Sequence, residues 1–381
     1  MTQVIPVIEP KGAASTPGLS DAEAIGLEVA SQWKLMWWKF KRHRMAMIGG
    51  VIVLAYYIVA LFAEFFAPVH VTTYSAEYHE SPPQQVHLLR DGKFDPHVFG
   101  YRYERDPVST KKTWYLDEET VIPIGLFQKG EAYTLLGFIP WDVHLIGAKN
   151  PEDPFYLLGA DEIGRDLFSR IIYSTRVSLT VGLVGVALSF ILGVLIGGIS
   201  GLVGGPLDTI VQRVTEILIT IPTLPLWLAL GAAVPPEWDP LRVYFMITII
   251  LSLIGWTGLG RVVRSKFLSL RDEDFIMAAT LDGVSRGRMI FRHMIPSFLS
   301  HIIASVTLAI PGMILGETAL SYLNLGLKPP VVSWGVMLRE AQKVAAIGLA
   351  PWMMFPAVAV IIVVLALNFF GDGLRDAADP Y

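Results

Sequence analysis

Long apolar runs alternate with polar stretches along the chain, and the lengths of the runs set the first expectation. Six of them reach the roughly 20 residues that a helix needs to cross the hydrocarbon core of a bilayer. They predict spanning helices near 46–68, 177–199, 209–231, 243–263, 297–319 and 350–371. Residues 1–30, rich in Gly, Pro, Ser and Ala, read as a flexible tail, and 372–381 as a second, short one. Over 31–45, Trp33, Met36, Trp37 and Phe40 recur at helical spacing among Lys34, Lys39, Lys41, Arg42 and Arg44. That is the pattern of an amphipathic helix in the headgroup layer, serving as an anchor for the first span or as a regulatory element.

Lysines and arginines in short loops orient the spans. The 34–44 cluster and the loop carrying Arg261, Arg264, Lys266, Arg271, Arg286, Arg288 and Arg292 both belong on the cytoplasmic side. An even number of spans separates them, so the two assignments agree and both termini are expected inside. No cleaved signal is expected, because a mostly polar stretch precedes the first apolar run. Residues 70–155 then fall outside. There Tyr101, Tyr103, Trp114, Tyr115, Val121, Ile122 and Phe127, between Pro and Gly breaks, predict short strands in a small β-rich folded insert.

One polar island, 272–296, reads as ordered structure between two spans. Asp272, Glu273 and Asp274 put acids where a helix begins, and Phe275, Ile276, Ala278 and Ala279 follow. Gly283 suits a left-handed C-cap, Ser285 an N-cap for a second helix over 286–294, and Pro296 its end. Within the spans, Gly193, Gly197 and Gly201 are spaced by four, which lets helices approach closely. Arg213 and Glu216 are expected to pair. Glu64 and Glu317 lie near span ends, where an interfacial position and a buried partner are both open.

Composition supports a membrane protein and removes several chemistries. The 381 residues are 53% hydrophobic and only 17% charged, against about 25% in soluble domains. Net charge is −4, with no electrostatic footprint for nucleic acid. Cysteine is absent, so there is no disulfide, thiolate metal site or cysteine nucleophile. No phosphate-cradling Gly-rich loop with Lys-Ser/Thr occurs, the eight histidines show no metal-ligand spacing, and Ser200 is not in a nucleophile elbow. The chain is expected to bind no cofactor and to catalyse nothing. If it belongs to an active pump, another subunit holds the fuel.

The island resembles the cytoplasmic coupling loop of ABC-importer permeases, in which Glu-Ala-Ala is followed after three residues by Gly and later by Leu-Pro. Ala278, Ala279, Gly283 and Pro296 match, with Met277 in the glutamate place and Ile295 in the leucine place. Further stretches are similar to dipeptide/oligopeptide permeases of the C type. They are 158–170 with Arg176, Glu317 through Ser321 to Gly335, the end from Asn368 to Asp379-Pro380, and the lead-in from Trp33 to Ala46. The enlarged loop at 70–155 is the main departure.

This resemblance implies an all-α polytopic membrane protein with the transmembrane fold of a type I ABC importer, its core at 177–371. It implies a bacterial inner-membrane location and, as partners, a second permease, two ATPase subunits that bind ATP and Mg, and an extracytoplasmic solute-binding protein. Oligopeptides are the expected substrates, with oligosaccharides or opines as the alternative. The implied ATPase-coupling residues are Phe275, Met277, Ala278, Ala279, Gly283, Arg286, Arg288 and Pro296, with Arg292 beside them. The arginines equally fit a topogenic signal facing lipid phosphates. Two other classes are a lone ion-coupled transporter, which would call for internal repeats and mid-depth acids, and a receptor or scaffold using the insert.

Overall fold

Five helices are long and apolar enough to span a membrane, and a bent pair of helices is the candidate for a sixth, in a computed structural model describing residues 32–105, 107, 112–343 and 348–378. The predicted tail 1–30 and the Asp379-Pro380 motif lie outside these residues. Helix α1 (Gln32–Arg42) is the expected amphipathic segment, and α2 (Arg44–Leu61), followed by the single turn α3 (Ala63–Phe66), is the first span. The second, α4 (Leu167–Val203), starts ten residues before its predicted limit because Asp166 caps it, its carboxylate accepting the Ser169 amide at 2.7 Å.

The third span is not one straight helix. It comprises α5 (Gly205–Thr220) and α6 (Thr223–Ala232), bent by 88°. Pro222 explains the break: it forces the preceding Ile221 into an extended conformation, φ −76° and ψ 126°, and lacks the amide that would continue the helix. Helices α7 (Pro240–Leu270), α8 (Asp274–Leu281), α9 (Leu299–Tyr322), α10 (Trp334–Ala341) and α11 (Phe355–Ala378) follow, with shorter helical turns between them. Helix α11 continues through most of the predicted 372–381 tail. Its Gly371 packs on Leu308 and its Gly373 on Ala46, so tertiary contact overrides the low helix propensity of glycine.

The three predicted packing glycines are placed against α7. A Cβ on Gly193 would lie 3.1 Å from the Gly260 amide, one on Gly201 2.8 Å from the Arg264 carbonyl, and one on Gly197 would collide with the Gly260 backbone. The main core, with Leu179, Val181, Ile247, Leu251, Ile314 and Trp334 among its members, lies towards the other end of these helices.

At that end sits a four-stranded antiparallel meander: β1 (His87–Arg90), β2 (Lys93–Arg105), β3 (Lys112–Leu135) and β4 (Ile139–Ala148). The insert is folded, as expected, but its strands are long. The predicted breaks became register shifts, at Phe99/Gly100 and Lys129/Tyr133, rather than strand ends. Its own core is small: Val98, Ile122, Ile124, Ala148 and Phe155.

Gly197→Val is expected to destabilise the chain by about 1–3 kcal/mol through overpacking. Gly258→Ala, where a Cβ meets nothing within 4 Å, is expected to cost nothing. Thermal unfolding in detergent compares them, and equal melting would contradict a close α4–α7 approach.

Candidate functional site

The candidate loop begins where α7 ends. Helix α8 carries one buried and one open face. Ile276 and Ala279 pack into a cup formed by Val263, Phe267, Met289, Ile290, Met294 and Phe298. Outside that contact Phe275 is 45% exposed, Met277 47% and Leu281 88%, with Ala278 exposed among them. An apolar face of this kind, uncovered by the chain's own residues, marks an interaction surface.

The end of α8 is rigidly specified. Gly283 has φ +73°, Val284 donates its amide to the Ala279 carbonyl at 3.1 Å, and Gly283 donates to Thr280 at 3.1 Å. These are the paired bonds of a Schellman motif, in which the left-handed residue satisfies otherwise orphaned carbonyls. The predicted N-cap at Ser285 is corrected: its backbone is extended, but its side chain caps nothing, and the Met289 amide bonds to its carbonyl instead. The second helix also differs. After Arg286–Arg288 it widens into a π-helical turn, Met289–Met294, and runs on through Ile295–Ser297. Pro296 therefore lies inside that last turn. The π turn aims Met289, Ile290 and Met294 together at α8. Arg286, Arg288 and Arg292 are exposed and have no ion-pair partner among the described residues.

Charged ties that the sequence reading missed hold this end of the bundle. Arg264 forks onto Asp208, which also accepts from the Ser200 hydroxyl, joining α7, α5 and α4. Phe267 meets Phe298 edge-on at 5.8 Å and packs where Gly198 and Gly201 leave room. The predicted Arg213–Glu216 pair forms at 2.7 Å on an exposed face.

At the sheet end a buried knot joins the lead-in of α4 to α10. Asp161 binds Arg165 at 2.7 Å and also Arg170, while Glu340 accepts from Arg170 at 2.6 Å and Arg165 at 3.3 Å. Its partners lie some 170 positions apart, so only the i,i+4 spacing of Asp161 and Arg165 was visible in the sequence. Burial pushes the neighbouring Asp166 carboxyl up to about 6, against the pull of the Ser169 bonds. Glu64 is partnered, held by both Arg176 terminal nitrogens at 2.7 Å. Glu317 is buried rather than interfacial, accepting from Ser333 at 2.7 Å and Ser321 at 2.8 Å. No group of His, Asp and Glu suited to hold a metal ion occurs among the described residues.

Comparison with known proteins places these features in context. Residues 193–381 match the family model described as binding-protein-dependent transport system inner membrane component. Residues 31–83 match the N-terminal transmembrane domain of oligopeptide transport permease C. A putative peptide permease protein of Brucella ovis is 36% identical over 247 residues, 64% of this chain and 80% of the relative. The dipeptide transport system permease protein DppC of Alkalihalophilus pseudofirmus is 40% identical over 223 residues, 58% of this chain and 71% of the relative. The oligopeptide transport system permease protein OppC of Bacillus subtilis is 28% identical, and its match covers 97% of this chain, hence the insert positions too, and 95% of the relative.

Arg170→Met is expected to cost about 3–5 kcal/mol, because it leaves buried acids without their cation. A thermal shift no larger than that of the exposed Arg213→Met would contradict a structural role for the knot.

Proposed function

Because this chain belongs to the binding-protein-dependent inner-membrane component family, in its dipeptide/oligopeptide permease branch, we propose that it imports oligopeptides by coupling to ATPase subunits through α8. The observation that carries this reading is the two-faced helix. Its inner face is locked to the ends of two spans, and its outer face, Phe275, Met277, Ala278 and Leu281, is apolar and open. A nucleotide-driven partner seated on that face would tilt α8 as a rigid body and move α7 and α9 with it. Met277, in the place of an acid, makes the contact one of apolar packing, with Arg286, Arg288 and Arg292 around it for acidic groups or lipid phosphates.

On this reading the loop and both termini are cytoplasmic and the sheet faces outside, near a solute-binding protein. A second permease completes the pathway, and two ATPase subunits bind ATP and Mg. A lone ion-coupled transporter would leave the α8 face without an occupant.

Leu281→Glu, at an 88% exposed position, is expected to leave insertion and stability intact. It should reduce uptake and substrate-stimulated ATP hydrolysis roughly tenfold, the effect of losing ~1.4 kcal/mol of contact. Gly283→Val should abolish uptake by denying the left-handed cap. Wild-type uptake in both well-expressed variants would overturn the reading.

A further inference from the structure

The β3–β4 hairpin presents an apolar tip for which the transport reading has no use. Between Glu131 and Asp142 no residue is charged, and Leu136, Phe138, Ile139 and Trp141 are exposed there, Phe138 by 72%. The turn itself is unusual. Leu136 and Gly137 have φ of +55° and +82°, a combination that normally takes Asn, Asp or Gly at the first position. The other tight turn of the same sheet has that usual chemistry: Asp91 and Gly92, φ +51° and +75°, between Arg90 and Lys93. Among the described residues, the two bulky apolar side chains at positive φ are Phe127 and Leu136, both on the β3–β4 hairpin. A leucine at such an apex accepts conformational strain to put an apolar group where water would otherwise be, which points to a functional contact.

The position of the hairpin identifies the occupant. Strand β3 is fastened along its length to the segments that lead out of α3 and into α4. Lys112 donates to the Glu77 carbonyl at 3.0 Å, and Trp114 stacks on Tyr78, itself stacked on Tyr156. Ile122 and Ile124 pack with Phe155. Glu131 accepts from the His70 amide at 2.7 Å, and the His144 ring sits between the carbonyls of Glu64 and Ala67 and that of Glu131. These last contacts fasten the hairpin to the end of α2–α3. The tip continues about five residues beyond them, roughly 17 Å at strand rise.

Helix α2 leads into that fastening, and Val51, Leu54, Ile58 and Leu61 are exposed along it, as on the lipid-facing side of a span. Apolar surface passes from α2 through Phe65 to Phe127 at the foot of the hairpin, the two rings lying 6.2 Å apart. Lys129 and Asp142, 3.8 Å apart, mark the polar shoulder where the strands leave this surface. We propose that the β3–β4 hairpin is a membrane-interface anchor: Leu136, Phe138, Ile139 and Trp141 enter the headgroup–acyl boundary beside α2. Aromatic and aliphatic side chains without nearby charge partition into that layer, with Trp at the level of the headgroups. The anchor would fix the insert against rotation over the spans.

The absence of cysteine makes the test direct. Single cysteines at Phe138→Cys and Trp141→Cys carry a spin label in the full chain reconstituted in bilayers. Leu54→Cys serves as the lipid reference and Asp91→Cys as the aqueous one. Collision with dissolved oxygen relative to a water-soluble nickel chelate is expected to be severalfold higher at 138 and 141 than at 91, and to approach the value at 54. Chelate access at both sites equal to that at 91 would overturn the proposal. So would exclusion of both quenchers, the signature of burial under another protein. The outcome does not depend on ATPase coupling, so this proposal and the transport reading fail separately.

Discussion

The packing of Ile276 and Ala279 into the cup formed by Phe267, Met289, Ile290, Met294 and Phe298 is the contact on which the account of this molecule depends. Burying one such isoleucine is worth about 1.5–3 kcal/mol, more than an exposed ion pair provides. It makes α8 part of the bundle instead of a loose connection. Phe267 carries the contact onward into the space left by Gly198 and Gly201, and Arg264 ties the same region to Asp208. Packed atoms thus connect α8 with α4, α5, α7 and α9, the route along which the proposed coupling would act.

The other end of the bundle is built to resist. The Asp161–Arg165–Arg170–Glu340 knot, the Glu64–Arg176 fork and the serines around Glu317 join α3, α4, α9 and α10 with short polar bonds. Buried charges of this sort fix geometry more than they add stability, because desolvation offsets much of their attraction. The resulting molecule has one end with an open apolar face and one end locked under a sheet.

Much of this was legible from residue pattern. The six apolar runs found the spans, the glycines at 193, 197 and 201 found the tight helix pair, and Gly283 found the cap of α8. The misreadings share a cause. Ser285 has the chemistry of a cap, but a backbone bond from the Met289 amide to its carbonyl starts that helix without it. Pro222 was hidden inside an apolar run long enough to look continuous, and α11 passed its glycines because Leu308 and Ala46 pack on them. The ionic knots were invisible because their members come from segments far apart, and sequence spacing reports only neighbours along one helix.

The most direct measurement is proximity. In this cysteine-free chain, Leu281→Cys, assembled with ATPase subunits carrying cysteines around their docking groove, is expected to crosslink efficiently. A control cysteine in the sheet, Asp91→Cys, should give no product. Absence of any crosslink from position 281 in an assembled, ATP-hydrolysing complex would contradict the claim that α8 is where the motor engages.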